Sequence, residues 1–411
     1  MFFFYELITI LLLFLSPIIY FFRLIIGKED FSRILERYSL FKISNSSKIT
    51  LWFHGASVGE ILSVIPIIKN LENNKKIKKI LITSSTTSSA SILKKIKFKK
   101  TTHKYFPIDE VSLVKKFIKF WRPKVAIFID SEIWPNMLNN LSKEKIPIIL
   151  INGRITSRSF NRWMLFPTFA KNIFNKISLA LPQNQETIKY LKKLNVKKIK
   201  FVGNLKYFGE KKVEPKSSFK NIFRNRKIFC CASTHNKEEI FIAEAHKIAR
   251  KKINNLITII IPRHIQRTNS ILNELKDKNL NIITRSSGKK LRPDTDIYIV
   301  DTYGEVNQFY NLSNLSFVGG SLIKHGGQNP LEPARGKNYI IHGPYINNFK
   351  EVYNQLLKLK IASKINNIFM MNKFIEKKIN YKLPQKINNK LSSIGKNILK
   401  NNIYEINRFL K

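Results

Sequence analysis

A chain of 411 residues exceeds what one ordinary hydrophobic core organises and points to two domains, for which an apolar content of 44% is ample. The 73 Lys and Arg against 27 Asp and Glu leave a formal net charge of +46, which favours anionic partners: nucleic acid, acidic lipid or a phosphorylated substrate. The lysines are dispersed among abundant Ile and Asn, as compositional drift would leave them, so charge alone singles out no nucleic-acid site. The only cysteines, Cys230 and Cys231, are adjacent in an apolar strand-like run; this speaks against a metal site or an ordinary disulfide and fits a reducing compartment.

In chain order, Phe2 to Phe22 is an apolar run interrupted only by Glu6, Thr9, Ser16 and Pro17, close to the roughly 20 residues that span hydrocarbon. It has no positive leader and no small-residue cleavage site, so residues 1–26 read as a retained membrane anchor. Arg23, Lys28, Arg33 and Arg37 follow at once and place the bulk of the chain on the cytoplasmic side. Pro17 and Glu6 leave open a helix lying partly in the interface.

Strand-like runs then alternate with amphipathic helical stretches such as Ile61–Leu71 and Leu113–Phe120. The expected strands are Ile49–His54, Ile80–Thr83, Lys124–Ile129, Pro147–Ile151, Ser178–Leu181 and Ile199–Val202. This alternation is the pattern of βαβ units on a parallel sheet. Residues 209–226 lack an apolar period and read as a linker. A second series follows: Lys227–Ala232, Leu256–Ile261, Asn281–Thr284, Ile297–Val300, Leu315–Val318 and Tyr339–Ile341. The expected architecture is α/β, with two doubly wound Rossmann-like domains (27–208 and 227–385) and a helical tail (386–411). A cleft is expected between the domains, at the carboxyl ends of the strands.

The loops after those strands carry the chemistry. Glu60, in His54-Gly55-Ala56-Ser57-Val58-Gly59-Glu60, stands at a helix start, where it either serves as a general base or only complements the helix dipole. Asp130 and Glu132 end an apolar strand ahead of Trp134-Pro135, and such acids are costly without a partner. Lys206, Arg154 and Arg263-His264 follow other strands in the same way. Asp301-Thr302-Tyr303-Gly304-Glu305 is a further turn into a helix. Gly319-Gly320-Ser321 and Gly326-Gly327 lead into Asn329-Pro330-Leu331-Glu332, which reads as an N-cap and first turn. Here glycine N–H groups and the helix end would receive a phosphate, and Glu332 would accept from ribose hydroxyls. Asp294-Thr295-Asp296 fits a D-x-D metal pattern but precedes a strand, and the seven histidines lack metal-site spacing, so no metal is expected.

The set His54–Glu60, Asp130–Pro135, Asn152–Ser159, Gly203–Lys206, Ser233-Thr234-His235, Pro262-Arg263-His264, Asp301–Glu305, Gly319–Pro333 and Gly343-Pro344 resembles, in order, bacterial 3-deoxy-D-manno-octulosonic acid (Kdo) transferases, from the anchor to about residue 355. The resemblance implies a GT-B glycosyltransferase on the inner face of the inner membrane, moving Kdo from CMP-Kdo to a lipid A precursor with inversion and without metal. It implies Glu60 as general base, with Asp130 and Lys206 supporting the transition state. CMP-Kdo would be held by Arg263, His264, Tyr303, Gly304, Glu305, Asn329, Pro330, Leu331 and Glu332, while Ser57, Gly59, Glu132 and Arg154 would face the acceptor. Four positions depart from the family pattern: Asp130 for a usual Glu, Gln328 for His, Lys237 for Gly, and Gly55 for Ala or Ser. Two other readings share some of these features: another GT-B enzyme with a lipid acceptor, or a non-catalytic protein holding acidic membrane or nucleic acid through its lysines.

Overall fold

A computed structural model of the protein describes residues 1–41, 49–209, 215 and 217–410. The chain forms two compact units, one of Met1–Phe208 with Ile394–Lys411 and one of Gly209–Ser393.

The first unit is a six-stranded parallel sheet of β1 (Leu51–His54), β2 (Ile80–Ser84), β3 (Thr101–Tyr105), β4 (Val125–Ile129), β5 (Ile148–Gly153) and β6 (Leu179–Pro182), in the order β3-β2-β1-β4-β5-β6. All strands but β3 are buried along their whole length, because helices cover both faces of the sheet. Alternate side chains feed separate cores: Trp52 packs with Phe117 and Phe128 on one face, Leu51 and Phe53 with Ile61 and Ile127 on the other. Chain direction across the sheet reverses between β1 and β4, so the loops after these two strands open at the switch point.

The second unit is a seven-stranded parallel sheet: β7 (Lys227–Thr234), β8 (Leu256–Pro262), β9 (Ile282–Thr284), β10 (Ile297–Ile299), β11 (Leu315–Val318), β12 (Tyr339–His342) and β13 (Ala362–Lys364). Their order is β13-β12-β11-β7-β8-β10-β9, with the switch point between β7 and β11.

Three expectations are corrected. Ile199–Val202 is not a ladder strand and makes only one bridge, Ala180 to Ile199. β3 and β13 went unexpected because both are short edge strands without a continuous apolar run; β3 is Thr-Thr-His-Lys-Tyr and only its last residue is buried. Of the expected linker, residues 210–214 and 216 lie outside the described residues. Ser217–Ile222 beyond them is a helix, and Phe219 and Phe223 enter the second core. The C-terminal helix Gln385–Asn407 returns to the first unit, burying Ile398 and Ile406 in its core. A Cβ on Gly203 would lie 2.9 Å from Ile398 Cδ1, and one on Gly395 2.6 Å from the Tyr207 carbonyl oxygen, so both glycines mark close approaches of this helix.

Candidate active site

At the switch point of the first unit, the loop after β1 turns into the helix Val58–Leu71. Ser57 Oγ accepts the Glu60 N–H at 3.4 Å and donates to Glu60 Oε1 at 2.7 Å, while the Ala56 N–H donates to Oε2 at 2.8 Å. This is a capping box, in which the serine and the glutamate satisfy each other and the helix end. Glu60 thus serves the helix. Burial nevertheless raises its carboxyl above the ordinary range, outweighing the bonds from Ser57 and Ala56, and the Glu132 charge adds to the rise. The opposing pulls of dipole and burial resolve in favour of a stronger base.

Asp130 ends β4 with a left-handed backbone, φ 60°, which Asp tolerates better than most residues. Its N–H donates to the Ile151 carbonyl, and the Arg154 N–H donates to its own carbonyl, stitching it to the end of β5. Burial pushes its carboxyl up to about 6. Lys206 and Arg154 oppose the rise, and Glu60 and Glu132 reinforce it. These five side chains therefore act on one another's charge. Lys206 is placed by a second stitch: Asn152 Oδ1 accepts the Leu205 N–H at 2.9 Å, and Asn204 Oδ1 accepts the Lys206 N–H at 2.8 Å.

Glu132 is of a different kind. Its Oε2 accepts from Trp134 Nε1 at 2.8 Å and lies 3.1 Å from His54 Nε2, a contact that puts a proton on that nitrogen. Burial raises the Glu132 carboxyl, but His54 and Trp134 together outweigh it and hold the carboxyl below the usual range. Two neighbouring carboxylates are thereby pushed apart, Glu60 up and Glu132 down. The Phe106 ring stacks on the fully buried His54 at 3.7 Å and fixes its plane. Ser57 and Gly59 are exposed beside Glu60.

In the second unit the glycine-rich turn after β11 meets a group that sequence reasoning missed. Glu238, fully buried at the start of the helix Glu238–Arg250, accepts the N–H groups of Gly320, Ser321 and Leu322 at 2.7, 3.1 and 3.0 Å and that of His235 at 3.0 Å. Of the glycine N–H groups expected to meet a phosphate, that of Gly320 is thus held by an internal carboxylate, together with its neighbours Ser321 and Leu322. The glycines answer a packing need: a Cβ on Gly319 would stand 2.2 Å from the Ser233 carbonyl oxygen, and one on Gly343 2.1 Å from that of Ser321. The helix start also shifts. Pro330, not Asn329, is the N-cap of the five-residue helix Leu331–Arg335, because Asn329 Oδ1 accepts the Leu331 N–H from one place further back. Asn329 Nδ2 donates to Glu332 Oε1 at 3.2 Å.

Imidazoles cluster where the loops after β7, β8 and β11 meet. The His235 ring lies 4.2 Å from that of His325 and 6.3 Å from that of His264, next to the exposed Arg263. His235 Nδ1 donates to the Ser233 carbonyl at 3.0 Å, leaving a buried Nε2 with no hydrogen-bond partner among the described residues. Burial, with the His325 charge, pushes His235 down to about 4, so it is a neutral acceptor at pH 7. Gln266 Nε2 donates to the Tyr303 hydroxyl at 3.2 Å and joins the loop after β8 to that after β10; Gly304 there has φ 85°. Glu305 is already engaged by Arg285 at 3.2 Å and by the Thr302 hydroxyl. His235 and His325 were legible only as parts of motifs, whereas Glu238 was in none; its one local signal is the pair of acids, Glu238 and Glu239, that open its helix. Asp294 and Asp296 tie down the Asn281 segment ahead of β9, away from the carboxyl-end loops.

Two parallel Rossmann-like units, each with its own switch point, are a GT-B-type fold. Its overall likeness includes the MnaA–UDP structure of S. aureus, at TM-score 0.55 and 12% identity over 88% of this chain and 97% of that one. A family model described as 3-deoxy-D-manno-octulosonic-acid transferase (kdotransferase) matches residues 32–208. The 3-deoxy-D-manno-octulosonic acid transferase of Rickettsia bellii is 32% identical, covering 88% of this chain and 87% of its own, and that of Haemophilus influenzae is 30% identical, covering 82% and 80%. The chain belongs to the Kdo transferase family.

Proposed function

We propose that the protein transfers Kdo from CMP-Kdo to a hydroxyl of a lipid A precursor, with inversion and without a metal, at the cytoplasmic face of the inner membrane. The observation that carries the mechanism is Glu60: a carboxylate at a switch-point loop, raised by burial, beside a charged set of Asp130, Lys206 and Arg154. The acceptor hydroxyl gives its proton to Glu60 as its oxygen attacks the anomeric carbon from the face opposite the leaving group. Asp130 and Lys206 hold the acceptor end and balance charge as the bond forms. CMP departs with the electron pair of the broken bond, and Arg263 and His264 receive its phosphate. His235 Nε2 accepts from a donor hydroxyl, and Tyr303, Gly304, Glu305 and Asn329 to Glu332 hold the nucleoside. Ser57, Gly59, Glu132 and Arg154 line the acceptor side.

Among the described residues no group of three or more His, Cys, Asp or Glu could hold a metal ion. The acceptor's phosphates and acyl chains suit the basic surface and the N-terminal helix, which by length and composition could cross a membrane. The test is transfer from freshly generated CMP-Kdo to a tetraacylated lipid A precursor, read by mass spectrometry with EDTA present. Kdo-mass additions by the parent chain, reduced at least a hundredfold in Glu60→Gln, are the expected outcome. Undiminished transfer by Glu60→Gln would remove the general base.

A further inference from the structure

The N-terminal helix, Phe2–Ile25, is amphipathic in the reverse sense. Its non-exposed residues form one stripe at helical spacing, whose polar members are Tyr5, Glu6, Thr9, Ser16, Tyr20 and Arg23. The other fifteen residues are exposed and all apolar. A helix on the surface of a soluble protein turns its polar side to solvent; this one turns it to the protein.

The stripe is docked from end to end. Phe2 and Tyr5 pack on Phe169 with ring centroids 5.9 and 6.0 Å apart. The Tyr5 hydroxyl donates to Asp109 Oδ2 at 2.8 Å; that carboxylate also accepts the N–H groups of Asn136 and Met137 at the start of the helix Pro135–Lys143. Asn136 Nδ2 reaches Thr9 Oγ1 at 3.1 Å. About two turns further, Ser16 Oγ lies 2.9 Å from the Tyr38 hydroxyl, and Tyr20 packs on the same ring at 6.1 Å. Tyr38 closes a segment fixed to the first unit by Arg37, whose guanidinium donates to the Phe106 and Ser85 carbonyls.

Between Tyr5 and Tyr20 the helix rises about 22 Å, most of the roughly 30 Å of a bilayer's hydrocarbon. A spanning helix that kept these contacts would carry Asp109, Asn136 and the Glu29–Arg37 pair to membrane depth, which is costly. A helix lying in the membrane plane keeps every contact. The exposed apolar surface also continues past both ends: Leu165 and Phe166 precede Phe169, and Phe31 and Leu35 follow the helix. The exposed Lys28 follows the helix end with charge that anionic headgroups attract, on a chain of net charge +46.

We infer that this helix lies in one leaflet, docked to the first unit by its polar stripe, with its apolar face in the headgroup–acyl boundary of an anionic lipid surface. Both of its ends then stay on the side of the catalytic units. The inference rests on the membrane reading above, and flotation with anionic vesicles tests that reading first: a chain that does not float with them overturns both. For a chain that floats, a cysteine is placed ahead of Met1 and probed with a membrane-impermeant maleimide in inverted and right-side-out vesicles of a bacterial expression host. Cys230 and Cys231 are fully buried and stay unlabelled. Labelling in inverted vesicles alone is expected; labelling in right-side-out vesicles means the helix spans and overturns the inference. In the Tyr5→Phe/Thr9→Val/Ser16→Ala chain the polar latch is gone, and label from the far side should rise at least severalfold. No rise would show that the stripe does not hold the helix in plane.

Discussion

Asp130 shows what a single buried charge does at a site. Its folded carboxyl titrates at about 6, above the 3.8 of an unperturbed aspartate. Between those values the unfolded chain has ionised and the folded one has not, so stability falls as pH rises from about 4 to 6 and is level above. Asp130→Asn removes the charge, and should add roughly 1–2 kcal/mol at pH 8 and nothing at pH 4 in urea titrations, while transfer drops at least tenfold. A loss of stability at pH 8 would mean that the attraction of the Lys206 and Arg154 charges outweighs burial. Lys237 is a second local cost. It caps the helix Glu238–Arg250 with φ 76°, a conformation that suits the glycine usual in the family at this position. Lys237→Gly should stabilise the protein by roughly 0.5–1 kcal/mol in the same assay.

The glycine-rich turn after β11 is built around an element from elsewhere in the chain. β7 and β11 are neighbours in the sheet, and this brings Glu238 beneath Gly320–Leu322, more than 80 residues on. Glu238→Ala would strand four N–H groups in a buried place, and should cost roughly 3 kcal/mol or more; Glu238→Gln, which keeps an acceptor, should cost about half of that. Equal losses in both variants, measured by denaturation, would argue that the charge and not the accepted bonds matters. The elements themselves were mostly legible. Continuous apolar runs bounded by turns gave β11 to the residue, whereas β3 was hidden because an edge strand need not be apolar. Ile199–Val202 misled for the converse reason: an apolar run beside β6 found one bridge and no ladder.

In the whole molecule, the chain leaves the first unit after Phe208 and returns to it at Ile394. A chain ending at residue 393 loses Ile398 and Ile406 from the core that holds Leu51, Ile61 and Leu71. Hydrogen exchange should then quicken by tenfold or more in β1, β2 and the helix Val58–Leu71, with β7 and β8 unchanged; equal quickening in both sheets would contradict the division into units. Sequence alone determined the α/β class, the two series of strands, the N-terminal apolar helix and the loops that carry Glu60, Asp130, Lys206 and Arg263, because periodicity and position after a strand are local properties. Tertiary structure decided what those residues are. Burial raised Glu60 and Asp130 while His54 lowered Glu132, strand order gave the glycine loop to Glu238, and packing turned the polar stripe of the first helix inward. Each of these depends on which groups meet across long stretches of chain, and no local pattern records that.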